Sequence, residues 1–183
     1  EWMTENLRTS KYSDGTAIPN VKDDTQWSNL STAAWCHYDN DSSQYESTYG
    51  KLYNWYAVET GKLCPTGWHV PTDSEWTELT DYLAANGHNG TEGTALKATS
   101  GWDLDYFVER GNGTDDYGWL GLPGGNRSGN GSFGIIGNDG SWWSSSQSIA
   151  SRAWFRYLGT SYDYVYRDNF GKDYGFSVRC LRD

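Results

Sequence analysis

Histidine and cysteine, the side chains that most often bind metals or attack substrates, are few in this sequence and far apart. The histidines are His37, His69 and His88, and the cysteines are Cys36, Cys64 and Cys180. The histidines lack the spacing of metal ligands, so we interpret each as a structural or surface residue. The cysteines form no C-x-x-C motif and allow one disulfide and one thiol in any of three pairings. Neither a zinc motif nor a cysteine nucleophile can be recognised.

Pairs of carboxylates in glycine-rich stretches are the remaining candidates for metal chemistry. Asp103 with Asp105, and Asp115 with Asp116, could hold a calcium ion, but neither pair matches an EF-hand loop. We interpret them as solvated loop residues and leave the metal content undetermined. The string at residues 129–134 matches G-x-G-x-x-G but lacks the flanking strand and helix of a dinucleotide site, so it predicts a turn. We expect neither a cofactor nor catalytic residues.

A segment rich in aromatic and serine residues is the strongest candidate for function. Half of the 34 residues from 141 to 174 are Tyr, Ser, Trp or Phe, a composition typical of antibody-like combining surfaces. Along 152–158 we expect Trp154 and Leu158 to point inward. Phe155 and Tyr157 would then face outward. Alternatively these rings line the inside of a sheet, the commoner use of aromatic strands. We favour a contact surface because both strand faces carry rings.

The remaining pattern predicts an α+β domain. Helices are predicted over 50–60, with Gly61 ending the helix, and over 73–86, where Thr72 and Glu75 fit a capping box. Period-two alternation predicts antiparallel strands at 152–158, 162–167 and 175–182. Residues 119–125 are interpreted as an apolar strand ending in a tight turn. Residues 20–29, 39–44 and most of 87–140 are predicted loops.

Composition limits the possible partners. The chain has 183 residues and a net charge of −10, which suits one domain over 1–183 and disfavours nucleic acid or an anionic membrane as a partner. The apolar runs are too short to cross a bilayer, so we expect no direct membrane insertion. The opening residues predict no signal peptide within the sequence. An aromatic share of 16% predicts an ordered core built mainly from rings.

Five stretches of the sequence, in order along nearly the whole chain, are similar to those of one bacterial family. They are WMTENL at 2–7, GKLYNWYA at 50–57, CPTGWHVPT at 64–72, WSSS at 143–146 and GFSVRC at 175–180. The sequence thereby resembles the Fibrobacter succinogenes major paralogous domain. The resemblance implies a C-type lectin-like fold related to that of formylglycine-generating enzymes.

Some members of this lectin-like group are variable proteins of diversity-generating retroelements, in which reverse transcription randomises adenine-containing codons near the C-terminus. The resemblance implies a variable region at 141–174, displayed on a phage virion or a bacterial surface. The fixed frame would be Trp154, Arg156, Leu158, Val165 and Arg167, with Tyr166 fitting either set. The displayed, ligand-binding residues would be Gln147, Ser148, Ile149, Ala150, Ser151, Arg152, Phe155, Tyr157, Thr160, Ser161, Tyr162, Asp163, Tyr164, Asp168, Asn169 and Phe170.

The sequence departs from these relatives where they carry catalytic and calcium motifs. The related enzymes bind copper with a cysteine pair near the C-terminus, whereas in this sequence only Cys180 lies in that half. The Glu-Pro-Asn, Gln-Pro-Asp and Trp-Asn-Asp strings of calcium lectins do not occur. Enzyme activity and calcium-dependent sugar binding of that kind are therefore disfavoured. The lectin-like fold also implies a disulfide between Cys64 and Cys180, with Cys36 left as a thiol.

The favoured function is a non-catalytic, receptor- or adhesion-type domain that binds a protein or glycan ligand on another cell or surface. Its contact rings would be Phe155, Tyr157, Tyr162 and Tyr164, and its selectivity would come from Arg152, Asp163 and Asp168. The alternative is a carbohydrate-binding bacterial surface module without hypervariation, in which sugars stack on Trp142 or Trp143. Either function predicts an extracellular location.

Overall fold

The computed structural model describes residues 1–105, 107 and 109–183 and has a mixed α+β fold. Its α-helices are α1 (Asp24–Ser28), α2 (Ser42–Tyr49), α3 (Trp55–Val58), α4 (Asp73–Leu83) and α5 (Glu92–Leu96), with a 3₁₀ turn at Tyr38–Asn40 and a π-helical turn at Ala84–His88. Its strands are β1 (Trp35–Cys36), β2 (Leu52–Tyr53), β3 (Trp68–His69), β4 (Asn126–Arg127), β5 (Phe133–Gly134), β6 (Asp139–Ile149), β7 (Arg152–Gly159), β8 (Tyr166–Gly171) and β9 (Leu181–Arg182).

The first four helices begin at side chains that accept a hydrogen bond from the first turn. These N-cap residues are Asp23, Asp41, Asn54 and Thr72. Each cap satisfies a backbone N–H that would otherwise lack a partner. The predicted capping box of Thr72 and Glu75 is confirmed. Helix α4 begins as predicted, but its α-helical part ends at Leu83, where the π-helical turn leads to Gly87 at φ 101°.

Three predictions about the first 60 residues need correction. The helix expected over 50–60 is a single turn at Trp55–Val58, because Leu52–Tyr53 pairs instead with β1. The loops expected at 20–29 and 39–44 contain α1 and the start of α2. Helix α2 buries none of its residues. It therefore has no apolar stripe that periodicity could reveal.

The predicted small antiparallel sheet is confirmed as the three strands β6–β7–β8. Strand β7 pairs with β6 on one side and with β8 on the other. Its register places Phe155 opposite both Trp143 and Asp168. The other strands of the described residues form the two-stranded sheets β1–β2, β3–β9 and β4–β5. The β4–β5 pair encloses residues 128–132, so the first part of the turn predicted at 129–134 is confirmed, while its last two residues form β5.

The strands differ in extent from the predicted ones. Strand β7 coincides with 152–158, but β8 starts only at Tyr166, and residues 162–165 form a loop. Residues 175–180 run beside β2 and β6 through isolated bridges of Phe176 and Ser177, and only Leu181–Arg182 is a strand. The long strand β6 was not predicted. Residues 119–125 make isolated bridges and no strand.

Both faces of the main sheet are packed, mostly by rings. On one face, Ala153 and Phe155 join a cluster with Trp143 and Phe176. On the other face, Leu158 joins a cluster that includes Trp76, Trp102, Trp119 and Trp142. Because large rings bury more apolar area than aliphatic side chains, this agrees with the predicted aromatic core.

The disulfide implied by the resemblance, Cys64–Cys180, is confirmed, with a Cα–Cα distance of 6.0 Å. It joins the segment before β3 to the segment before β9. Cys36 is a buried free thiol, and burial raises its pKa to about 12, so it is a poor nucleophile at neutral pH. The two ends of the chain also meet, since Trp2 bridges to Leu181.

Candidate ligand-binding groove

One face of the main sheet carries a groove of about 370 Å³. The strands contribute Asp139 and Ser141 from β6, Phe155 and Tyr157 from β7, and Asp168 and Phe170 from β8, and the groove is completed by Asn126, Ile135, Tyr162 and Phe176. The strand residues converge because alternate positions on paired strands point to the same face. We call this surface the aromatic groove.

Phe155 forms the floor of the aromatic groove. It is only 2% exposed, and its ring centroid lies 4.7 Å from that of Phe176 and 5.4 Å from that of Phe170. The prediction that Phe155 faces outward as a displayed residue is therefore wrong at this position. The segment that carries Phe176 covers this part of the sheet, so the alternative of an inward-facing ring is correct here.

The tryptophans expected to stack on sugars are also buried. Trp142 and Trp143 have almost no exposed surface. The indole Nε1 of Trp142 donates to Asn6 Oδ1 at 2.8 Å, and that of Trp143 donates to the carbonyl of Tyr53 at 2.9 Å. Sugar stacking on these two rings is thus excluded. They belong to the core because β6 is covered on both faces.

Two tyrosines that line the groove, Tyr157 and Tyr162, pack against Tyr164 and Tyr166. We call these four residues the tyrosine cluster. Tyr157 and Tyr166 stack with ring centroids 4.5 Å apart and planes 3° from parallel. Tyr162 and Tyr164 lie against Tyr166 at 4.6 Å and 4.4 Å. Tyr162 is 37% and Tyr164 41% exposed. The tyrosine cluster therefore presents ring surface to solvent while its members support one another.

The phenols of Tyr157 and Tyr166 remain protonated at neutral pH. Burial, followed by the charges of Tyr162, Asp139 and Asp168, raises the pKa of Tyr157 to about 12. The hydroxyls of Tyr164 and Tyr166 share a hydrogen bond, and this bond is the largest cause of the raised pKa of Tyr166. These side chains can donate hydrogen bonds to a ligand but are not general bases.

The loop between β7 and β8, which carries Tyr162 and Tyr164, is held in place by backbone contacts. The buried Lys97 Nζ donates to the carbonyls of Gly159 and Tyr162 at 3.2 Å and 2.9 Å. The Thr94 N–H donates to the Asp163 carbonyl at 2.9 Å. A Cβ at Gly93 would lie 2.6 Å from the Tyr164 carbonyl oxygen, so only glycine allows this approach. The rings are thus positioned before any ligand arrives.

Two predicted ligand-binding residues anchor this loop instead. Thr160 is buried, and its hydroxyl donates to the Asp103 carbonyl, so the prediction that Thr160 is displayed is wrong. The half-buried carboxylate of Asp163 pairs with Arg110 at 2.8 Å and accepts from Thr94 Oγ1 at 3.1 Å. Asp163 therefore fixes the loop on which Tyr162 and Tyr164 sit.

Two carboxylates line the groove without a cationic partner among the described residues. Asp139 is half-buried, and burial raises its pKa to about 6. The Asp168 side chain is exposed and accepts the N–H of Asn169 at 2.7 Å. The strand register places Asp139 opposite Gly159 and Asp168 opposite Phe155. Both charges therefore flank the ring floor.

The opposite face of the sheet carries the predicted frame. Asp73, at the start of α4, binds Arg156 at 2.6 Å and Arg167 at 2.8 Å. Burial raises the pKa of Asp73, but the hydrogen bonds from the two arginines outweigh that effect and lower it. The Arg167 guanidinium also lies 3.5 Å from the centroid of the Trp154 ring. Trp154 is half-buried rather than fully inward, while Leu158 is buried as expected.

Six further residues of the predicted displayed set lie at the far end of the sheet. Gln147, Ile149, Ala150, Ser151 and Arg152 are exposed around the β6–β7 turn, and Ser148 is half-buried. Arg152 and Tyr157 are five residues apart on β7, which corresponds to about 17 Å. The predicted residues therefore do not converge on one pocket. Phe170, 39% exposed, lies between the turn and the tyrosine cluster, with Asn169 beside it and Ser161 half-buried in the loop.

Four groove residues lie outside the predicted binding region: Asn126, Ile135, Asp139 and Phe176. Ser141 lies within the region predicted at 141–174 but outside its displayed set. Asp139, Ser141 and Trp143 alternate along β6, which is the period-two signal of a strand. Asn126 and Ile135 reach the groove from β4 and from the loop after β5, contacts that no local pattern encodes.

Metal binding finds no support in the described part of the chain, where no group of three or more His, Cys, Asp and Glu side chains could hold an ion. The histidines make ordinary structural contacts, as interpreted from the sequence. His37 lies 3.3 Å from Glu46, and His69 lies between Asp183 at 2.6 Å and Glu75 at 3.0 Å.

Two observations bear on where the protein resides. The described residues contain no helix with the length and apolar character needed to cross a bilayer. The Cys64–Cys180 disulfide is typical of proteins in oxidising compartments outside the cytoplasm. The disulfide therefore indicates an extracytoplasmic location.

Comparison with known families matches the chain over residues 1–182 to the Fibrobacter succinogenes major domain. No curated protein matches the sequence. The match includes every element of the fold described above and both halves of the disulfide. The chain therefore belongs to the Fibrobacter succinogenes major domain family.

Proposed function

We propose that the protein is a non-catalytic, receptor- or adhesion-type domain that binds its ligand in the aromatic groove. The observation that carries this proposal is the tyrosine cluster, whose exposed rings stand on a loop fixed by Lys97, Thr94 and Arg110. Exposed aromatic side chains gathered on one surface are typical of interaction sites. Their fixed positions reduce the entropy that binding must overcome.

The side chains of the groove favour binding over catalysis. The described lining residues are aromatic rings, two carboxylates, an amide, a hydroxyl and one isoleucine. They include no histidine, cysteine or lysine that could act with a carboxylate as a nucleophile–base pair. The Tyr157 phenol keeps its proton at neutral pH because its pKa is raised. The groove thus offers contact area and hydrogen bonds.

A carbohydrate ligand is the second candidate. Tyr162 and Phe170 expose ring surface beside Asp168 and Asn126, and rings next to hydrogen-bonding side chains suit sugar hydroxyls and C–H faces. The sugar would stack on Tyr162 and Phe170, because Trp142 and Trp143 are buried.

Selection from a random peptide library displayed on phage tests the proposal, with a glycan array probed in parallel. The groove variant is Tyr162→Ser with Phe170→Ser. The control variant is Tyr82→Ser with Tyr117→Ser, because these two rings are also exposed, at 56% and 41%, and lie outside the groove. We expect selected peptides to lose at least tenfold affinity for the groove variant and to bind the control variant like the native protein.

Three outcomes decide between the candidates. Peptides that depend on the groove support protein binding, whereas simple glycans as the only groove-dependent hits support the carbohydrate alternative. Binders that are insensitive to the groove variant, or no binders in either screen, contradict the proposal.

We further propose a C-type lectin-like arrangement with retroelement-driven variation. The disulfide between the segment before β3 and the segment before β9, together with the pairing of Trp2 with Leu181, supports the fold. The predicted frame residues Arg156 and Arg167 are tied to Asp73, while most of the predicted variable positions reach the surface. The test is the neighbouring DNA. We expect a near-copy of codons 141–183 that differs at adenines, beside a reverse transcriptase gene, and its absence contradicts the variation.

Display on a bacterial cell surface or a phage virion follows from the same proposal. The disulfide supports exposure to an oxidising medium. Antibody labelling of intact cells and purified virions tests it, and signal only after cell lysis contradicts it.

A further inference from the structure

We propose that the aromatic groove selects a basic side chain, arginine or lysine, presented by a protein partner. This inference rests on the proposed function and names the chemistry of its ligand.

The first argument is the separation of charge between the two faces of the sheet. No lysine or arginine is among the described residues that line the groove, whereas Asp139 and Asp168 both line it. Arg156 and Arg167 are bound to Asp73 on the opposite face. A cation brought by a partner would supply the charge that these two carboxylates lack.

The arginines and lysines near the groove are also engaged elsewhere. Lys97 donates to backbone carbonyls, Arg110 pairs with Asp163, and Lys172 contacts Glu59 and Gln147. None of these cations is left to turn toward Asp139. The half-buried carboxylate of Asp139 has no hydrogen bond or ion pair with any described residue, and burial alone accounts for its raised pKa.

The second argument comes from how this molecule holds its own arginines. Arg167 lies over the Trp154 ring and binds Asp73 at 2.8 Å. Arg127 lies 4.4 Å from the centroid of the Trp27 ring and binds Asp24 at 2.7 Å. In both places a guanidinium is held between a ring face and a carboxylate, which is a favourable cation–π and charge-assisted geometry.

The groove repeats this combination. Tyr157, Tyr162 and Phe170 supply the rings, and Asp139 and Asp168 supply the carboxylates. The net charge of −10 would also attract a basic partner over longer range. Neutral ligands would gain the ring contacts but would leave the two carboxylates without a counter-charge.

NMR titration of the full domain with ring-labelled tyrosine and phenylalanine tests the inference. The probe is an acetylated and amidated pentapeptide with arginine between pairs of glycines, and the comparison peptide has glutamine in place of arginine. We expect saturable shifts of the Tyr157, Tyr162 and Phe170 ring signals with the arginine peptide, and at least tenfold weaker binding of the glutamine peptide.

Variants that remove charge provide the second part of this test. Asp139→Asn with Asp168→Asn should weaken binding of the arginine peptide at least tenfold. The control variant, Glu78→Gln with Asp81→Asn, removes the same charge from exposed positions on α4, on the other side of the sheet, and should bind like the native protein. The amide spectrum of each variant verifies that it is folded.

Three results would overturn the inference: no ring shifts with the arginine peptide, equal binding of the glutamine peptide, or unchanged binding by the Asp139/Asp168 variant. The proposed function is tested separately by the library selection. If that selection yields groove-dependent binders without lysine or arginine, the groove remains a binding site and only the choice of a cation is wrong.

Discussion

The two faces of the main sheet differ in how their charged side chains are paired. On the face toward α4, the buried Arg156 is paired with Asp73, which also binds Arg167. On the groove face, Asp139 and Asp168 have no cationic partner among the described residues, and the tyrosine cluster keeps ring surface exposed. A face whose groups satisfy one another contributes to stability, whereas a face that leaves charges and rings available is suited to a ligand.

The largest effect is expected at the floor of the groove, which belongs to the core. Phe155→Ala should lower the free energy of unfolding by about 4 kcal/mol, because the ring is fully buried and its loss leaves a cavity. Phe170→Ala, at the neighbouring but exposed ring, should cost about 1 kcal/mol. Denaturant unfolding measures both. Equal losses of stability would contradict the described difference between the buried Phe155 and the exposed Phe170.

The second largest loss of stability is expected on the opposite face of the sheet. Asp73→Ala should lower the free energy of unfolding by about 3 kcal/mol, because it leaves the buried Arg156 without a counter-charge. Arg167→Ala removes only the exposed partner and should cost less than about 1 kcal/mol. Thermal and denaturant unfolding at neutral pH measure the difference. A mild effect of Asp73→Ala would contradict a structural role for this pair.

At Asp139, a substitution is expected to change the free energy of unfolding by a smaller amount and in the opposite direction. Its folded-state pKa of about 6 lies above the ordinary value of 3.8, so the folded state binds the proton more tightly than the unfolded state. Below about pH 3.8, the free energy of unfolding therefore equals that of a protein with a permanently neutral side chain at this position. It decreases as the pH rises through about 6.

Asp139→Asn should accordingly raise the free energy of unfolding by about 1 kcal/mol at pH 7, a figure reduced for the partial exposure of this carboxylate. The same substitution should change little at pH 3.5. Unfolding curves at the two pH values check this, with Asp168→Asn as the exposed control. A native protein that is more stable than the variant at pH 7 would show that Asp139 has a stabilising partner.

Sequence patterns predicted the parts of the fold that local signals control. The capping box fixed the start of α4, alternation identified β7, and the resemblance gave the disulfide. Helices α1 and α2 were missed because their caps, Asp23 and Asp41, are single residues and α2 has no buried face. The alternation of Tyr162, Tyr164 and Tyr166 suggested a strand, but Lys97 and Thr94 bind the backbone there and hold a loop.

The candidate site was predicted in part for a similar reason. Composition located the tyrosine cluster and Phe170, which are on the surface. Alternation could not decide which face of β7 is covered, because both faces carry large side chains and the answer depends on Phe176 and α4, which are distant in sequence. The Asp139 side of the groove likewise depends on the pairing of β6 with β7.

Amide chemical-shift mapping with a selected peptide tests the central claim most directly, because it shows which face of the sheet the ligand contacts. We expect the perturbed amides to lie in residues 139–141, 155–157 and 162–170, with α4 unaffected. Perturbations confined to α4 and the residues around Trp2 and Trp119 would contradict the assignment of ligand binding to the aromatic groove.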